Sequence, residues 1–239
     1  IDDPCSVDVP RSVRVFVLAF AMVFTTALGP AAAQQTGLSF LKMGTSAVGL
    51  ALGDGLTAVP SEAFATYYNP AGLAGMDSSQ VAVSHNIWVL DTRTYNAAVG
   101  LTSDSPSTWG FAANAVSTGD IAVRTGPTPD PEGFFQAQFA NLGISYARLV
   151  GPLRVGATAK YLTERIAASD ANGYAFDAGL QLPLAQGDLQ LGAALQHFGS
   201  MQKLNTEATR LPRTVRGGIA VWPFRMTTRL DQQPLLTTM

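Results

Sequence analysis

The chain is 239 residues long, 13% charged, with a formal net charge of −2 and one cysteine, Cys5. Soluble domains are typically about a quarter charged, so this is an apolar-rich chain with few charges. That composition excludes an acidic disordered tail and a basic nucleic-acid binder. A single cysteine excludes a disulfide framework and a Cys-ligated metal site.

At the front, Arg11 and Arg14 precede an apolar run from Val15 to Leu28, closed by Gly29-Pro30 and Ala31-Ala32-Ala33. A positive n-region, a short h-region and a small-residue exit are the parts of a secretory signal peptide. A membrane anchor needs about 20 apolar residues. Residues 1–33 are therefore read as upstream sequence and signal peptide, cleaved after Ala33, and Cys5 leaves with them.

Residues 34–78 lack strand alternation. Glycines at 37, 44, 49, 53, 55, 72 and 75 allow a compact, irregular path with close backbone approaches. The segment from Ser61 to Ala65 reads as one helical turn.

From 79 to 224 the pattern alternates at period two, the mark of strands with unlike faces. Tyr95, Ala97, Val99 and Leu101 oppose Thr94, Asn96 and Gly100; Trp109, Phe111, Ala113 and Ala115 oppose Gly110 and Asn114. Val155, Ala157, Ala159 and Tyr161 oppose Arg154, Gly156, Thr158 and Lys160. Tyr174, Phe176, Ala178 and Leu180 oppose Ala175, Asp177, Gly179 and Gln181. Leu189, Leu191 and Leu195 oppose Gln190, Gly192 and Gln196, and Val215, Ile219 and Val221 oppose Arg216, Gly218 and Ala220. Turn chemistry separates the runs at 102–106, Gly151-Pro152, Ala171-Asn172-Gly173 and 186–188. The Gly151-Pro152 reversal is too short for a parallel crossover, so neighbouring strands run antiparallel. The Pro-rich stretch Gly126 to Gly133 forms a long loop. Short turns at one end and long loops at the other match outer-membrane barrels. A soluble β-sandwich also alternates. However, the segments approach the ~9–11 residues that cross a bilayer, and the second face is Gly, Ala, Thr, Gln and Asn rather than charge. Trp109, Tyr161, Tyr174, Phe198, Trp222 and Phe224 fall near segment ends, as an interfacial girdle requires. The expected fold is all-β, an antiparallel transmembrane barrel with an N-terminal Gly-rich hatch.

The hatch carries a resemblance. Leu41-Lys42-Met43-Gly44, then Gly49-Leu50-Ala51-Leu52-Gly53-Asp54-Gly55, then a Ser/Glu/Ala segment and Tyr67-Tyr68-Asn69-Pro70-Ala71-Gly72-Leu73-Ala74 resemble the N-terminal hatch of the FadL-like outer-membrane proteins, and among these the PorV/PorQ branch. Val81 to Trp88 resembles that branch's first strand. The resemblance covers about residues 38–101. It implies a barrel whose N-terminal segment plugs the lumen, in the outer membrane of a Gram-negative-type bacterium. For the PorV/PorQ branch it implies a role in type IX protein secretion, with secretion-system proteins and cargo as partners. For the wider superfamily it implies a channel for long-chain fatty acids or other hydrophobic small molecules. A structural outer-membrane protein without transport is a third reading. Outer-membrane lipid is a partner in all three, nucleic acid in none. The family's barrels have roughly fourteen strands, whereas about eight segments are legible here. The tail at 225–239 loses alternation, so the chain reads as truncated or frame-shifted. A genuine eight-stranded barrel is the alternative, but its lumen would be filled by side chains and would leave no room for the plug.

The hatch motif comprises Gly44, Gly49, Gly53, Gly55, Tyr68, Asn69, Pro70, Ala71 and Gly72. Pro70 sets a turn, Gly72 permits tight packing, and the Asn69 amide pairs with backbone groups left over in irregular structure; together they are expected to fix the hatch to the inner wall. Arg154, Lys160, Arg213 and Arg216 fall on lumen-side positions, as wet lining or as attraction for a carboxylate. Catalytic constellations are thin. Ser39-Phe40-Leu41-Lys42 spells S-x-x-K without its partner motifs, Asp54-Gly55 lacks the Lys-Ser/Thr of a phosphate loop, and His85 and His197 stand alone. No enzyme, metal or cofactor is expected.

Overall fold

In a computed structural model, residues 37–221 are described, apart from 60, 61, 104, 128, 185, 186, 205 and 206. The signal peptide with Cys5, and Trp222, Phe224 and the 225–239 tail, lie outside the described residues. No helix among the described residues is long and apolar enough to cross a membrane, which says nothing about crossing by strands.

Beyond the hatch the described residues form an all-β fold. One antiparallel sheet of eight strands holds β1 (Gln80–Ile87), β2 (Arg93–Thr102), β3 (Ser107–Ser117), β6 (Ala137–Val150), β7 (Leu153–Ile166), β8 (Ser169–Leu184), β9 (Leu189–Met201) and β12 (Thr214–Val221), in that spatial order. Two small ribbons are inserted: β4 (Ile121–Val123) with β5 (Gly133–Phe135), and β10 (Lys203–Leu204) with β11 (Glu207–Ala208). Every neighbour is the next main strand in sequence, so the sheet is a meander. Its reversals are unequal. At the end where β1 begins, strands are joined by the short links 103–106, 151–152 and 185–188. The other end carries both ribbons, in the connections 118–136 and 202–213. No ladder joins β1 to β12 among the described residues, and it is in this open form that eight strands accommodate the hatch.

Alternation drives the strands, and burial follows it residue by residue. On β8, Tyr174, Phe176 and Leu180 are exposed while Ala175, Asp177 and Gln181 are buried. The same split holds on β2, β3, β6, β7, β9 and β12. The buried face is the polar one. Asn96, Asn114, Asn141, Thr158, Lys160, Asp177, Gln181, Gln190 and Gln196 are buried, whereas Val81, Trp109, Leu142, Ile144, Tyr161 and Ile219 are exposed. Among hollows on the protein, one of ≈ 650 Å³ lies on this outer face, floored by Ala97, Ala113 and Ala159.

Three local expectations are corrected. Ala171-Asn172-Gly173 is not a turn but lies inside β8, paired with Glu164, Thr163 and Leu162 of β7. The reversal is at Ala167-Ala168, where Ala167 has φ 53°. Long-range pairing outweighed the local turn preference. As a result β7 and β8 reach 14 and 16 residues, and Tyr161 and Tyr174 face outward in mid-strand rather than at strand ends. The helical turn falls at Ala65–Tyr68 rather than Ser61 to Ala65. Finally, Arg213 is exposed on the outer side with its guanidinium 5.7 Å from the Phe198 ring, not in the lumen.

Candidate functional site: the hatch against the polar face

The hatch runs from a 3-10 turn (Ser39–Lys42) through helix α1 (Ala47–Ala51) and helix α2 (Ala65–Tyr68) to a second 3-10 turn (Pro70–Gly75). This short segment touches every strand of the main sheet. The Ser84 hydroxyl of β1 donates to the Thr45 carbonyl, and Met76 lies over Gly100 of β2. Leu73 lies over Gly110 of β3, and Phe40 stacks on Phe139 of β6 at 5.2 Å. Pro70 lies over Gly156 of β7, Asn69 donates to the Leu180 carbonyl of β8, and Gln196 of β9 donates to the Tyr67 carbonyl of the hatch. Arg216 of β12 donates to the Asp54 carbonyl at 3.5 Å. Contact with both outermost strands requires the sheet to curl around the segment.

The sequence motif sits at the centre of that contact. Asn69 is 1% exposed. Its Nδ2 lies 2.7 Å from the Thr57 carbonyl, 3.1 Å from that of Leu180 and 3.2 Å from that of Ala193, while its Oδ1 accepts from Ala71 N–H at 3.1 Å. One amide thus joins two parts of the hatch to adjacent strands. Pro70 opens the second 3-10 turn beneath it, and Ala71 and Gly72 are buried in that turn. The wall is shaped to receive it: a Cβ on Gly179 would lie 1.9 Å from Asn69 Oδ1, and one on Gly156 would lie 2.4 Å from the Pro70 carbonyl carbon. Two glutamines act beside Asn69. Gln181 Nε2 donates to the Val59 carbonyl at 3.1 Å, and Gln196 Nε2 donates to that of Tyr67 at 2.5 Å.

The front of the hatch is braced by Tyr68, whose hydroxyl accepts from the N–H groups of Thr45 (3.0 Å) and Ser46 (3.3 Å). Gly49 packs under that hydroxyl, and Gly44 packs beside Leu50 and Asp54. Gly53, with φ 60°, turns the chain out of α1, and Gly55 follows it. Burial pushes the Tyr67 phenol far above its usual pKa.

The three lumen cations are not one group. Lys160 and Arg216 line a common cavity with His197, Asn114 and Asn141. Lys160 is already paired with buried Asp177 at 2.5 Å, which neutralises a charge that would otherwise be prohibitive there. Arg154 lies apart, against Gly75 and in the field of Asp77.

Asp177, His197, Gln181, Gln196 and the Asn114–Asn141 pair were missed as site residues. For His197 the signal was present. Outward positions on β9 are odd-numbered through Leu195, yet Phe198 is also outward, and such a parity slip marks a β-bulge. The β8–β9 register indeed shifts between Phe176 and Ala178. His197, at φ 62°, is turned inward next to Gln196, and its N–H donates to Asp177 Oδ1 at 2.8 Å. His85 is on the outer face of β1, its ring 4.6 Å from that of Tyr95. Ser39 and Lys42 are both exposed. Among the described residues no cluster of His, Cys, Asp and Glu could hold a metal ion. No protein-family model matches the chain, and no curated protein matches it.

Proposed function

We propose that this chain forms the wall and hatch of an outer-membrane β-barrel of the FadL-like superfamily, of the PorV/PorQ type associated with type IX protein secretion. The observation that carries the reading is the inversion of the sheet: apolar side chains face out, and amides, hydroxyls and an ion pair face in, beneath a segment of the same chain. In water such an apolar outer face is an association liability; against lipid it carries no such penalty. The dimensions agree. On β6 the outward residues between Gln138 and Arg148 are Ala140, Leu142, Ile144 and Tyr146. At ~3.3 Å per residue that rise is about 33 Å along the strand, and at a tilt of ~45° about 23 Å, close to the ≈ 25 Å apolar band of such barrels. Trp109 and Tyr146, with ring centroids 4.9 Å apart, mark the short-turn end of that band, and Tyr95 the other. In lipid the free edges of β1 and β12 require strand partners.

A second reading, a channel for long-chain fatty acids or similar hydrophobic molecules, is favoured by Lys160 and Arg216 meeting in one internal cavity. That cavity opens only ≈ 20 Å³ to the centre of a water molecule, so an acyl chain enters only if the hatch moves. The test is membrane fractionation of cells that express the protein, followed by two phenotypes of its deletion. We expect extraction from outer membrane by detergent alone, and loss of secreted cargo with fatty-acid uptake intact. A monodisperse, detergent-free soluble species overturns the membrane reading; lost uptake with normal secretion selects the channel.

A further inference from the structure

Six buried side-chain atoms without a hydrogen-bond partner belong to residues that line a small cavity between the hatch and the wall. The hatch supplies Thr45 Oγ1, Asp54 Oδ1 and Tyr67 Oη; the wall supplies Asn114 Oδ1, Asn141 Oδ1 and His197 Nδ1. Thr45, Asn114, Asn141 and His197 are each at least nine-tenths buried. Buried polar groups are rarely left unpaired, and one unpaired group costs about 1–3 kcal/mol. Six on one cavity point to an occupant.

The chemistry of the lining selects it. Asp54 Oδ1 and the two amide oxygens only accept, and Lys160 is already paired with Asp177, so these orphaned oxygens call for a hydrogen-bond donor. With Lys160 matched by Asp177, the charges left on the lining are Arg216 and Asp54, one of each sign, which calls for a neutral occupant. What is lacking is a small neutral donor that also accepts from the Thr45 and Tyr67 hydroxyls. The space of ≈ 20 Å³ exceeds the ~10–15 Å³ that one water needs, and two to four polar partners suffice to hold it. The amide ladder feeding the cavity is already committed on its other side: Asn114 donates to Asn96, and Asn96 donates to Ser84 at 3.0 Å. The remaining oxygens are therefore turned toward the cavity.

We infer that this cavity is a built hydration site, in which one ordered water bridges the hatch at Thr45 and Tyr67 to the wall at Asn114 and Asn141. The front of the hatch is then joined to the sheet through an exchangeable molecule, whereas its rear is joined directly through Asn69.

Three measurements on the intact folded protein test this. Radiolytic hydroxyl labelling oxidises side chains beside a bound water even when they are buried. Phe40 and Tyr68 line the cavity, and Phe64, equally buried, does not. We expect Phe40 and Tyr68 to be labelled several-fold faster than Phe64; equal rates overturn the proposal. The second is the sign of the stability change in Asn141→Leu. With a bridging water the substitution lowers the melting temperature, because the water loses an acceptor. A rise shows a dry cavity relieved of an orphaned carbonyl, and overturns it. Melting in sodium, potassium and choline chloride at equal ionic strength should coincide. A shift specific to one metal ion assigns the cavity to a cation instead.

Discussion

Asn69→Leu isolates the anchor of the hatch, because its partners are few and named. Leucine keeps the branching of the asparagine side chain but is bulkier, so it crowds the space under Gly179 and loses all of the amide's hydrogen bonds. The Ala71 N–H, which donates to Asn69 Oδ1, is left as an unpaired buried donor, worth about 2 kcal/mol. The Thr57 carbonyl keeps a weaker donor, Gln181 Nε2 at 3.4 Å, so its loss is about 1 kcal/mol. Leu180 and Ala193 lie inside the ladders that join β7, β8, β9 and β12, where their carbonyls have backbone donors, so the loss there is small. The sum, about 3 kcal/mol, corresponds to roughly a hundredfold in the opening equilibrium of the hatch. Limited proteolysis reads that equilibrium when opening is fast relative to cleavage. Cleavage within residues 37–75 should therefore accelerate roughly a hundredfold at low protease, while the circular dichroism of the strands is unchanged. Unchanged cleavage refutes the anchoring role. Loss of the strand signal at the same denaturant as hatch opening refutes the idea that the hatch is a separable unit.

Gly156→Ala should open the hatch as Asn69→Leu does, because its Cβ meets the Pro70 backbone, whereas Gly143→Ala, whose nearest neighbour is 3.5 Å away, should leave cleavage within twofold of wild type. Ile144→Arg, at the middle of the outer face, should cost about 2–4 kcal/mol in lipid vesicles if that face is in the bilayer; no loss there speaks against the membrane reading. The pH dependence follows from Tyr67. Its folded pKa is raised, so the folded state holds its proton when the unfolded chain releases it. Its contribution is intact below the free phenol value of ~10 and stability falls as pH rises past it. Tyr67→Phe should flatten that alkaline decline in denaturation curves between pH 9 and 11, and an unchanged slope counts against the burial argument.

Strand faces and the hatch boundary are local properties, and the residues carry them openly. Period-two alternation names the exposed and buried side of β2, β3, β7, β8, β9 and β12 without reference to any partner, because adjacent side chains on an extended backbone must point oppositely. Asn69-Pro70-Ala71-Gly72 is legible for the same reason: proline and glycine restrict or free their own backbone. What no local pattern holds is pairing at a distance. The Asn69 amide finds carbonyls 111 and 124 residues away. The β7–β8 reversal moved from the glycine at 173 to Ala167-Ala168 because added ladder pairs outweigh one turn's preference. Lys160 and Arg216 share a cavity while Arg154 does not, since that depends on which strands the curled sheet brings together. His197 lies between the two cases: its bulge was written in the parity slip from Leu195 to Phe198, but its neighbour Asp177 came only with the β8–β9 register, which long-range hydrogen bonding alone decides.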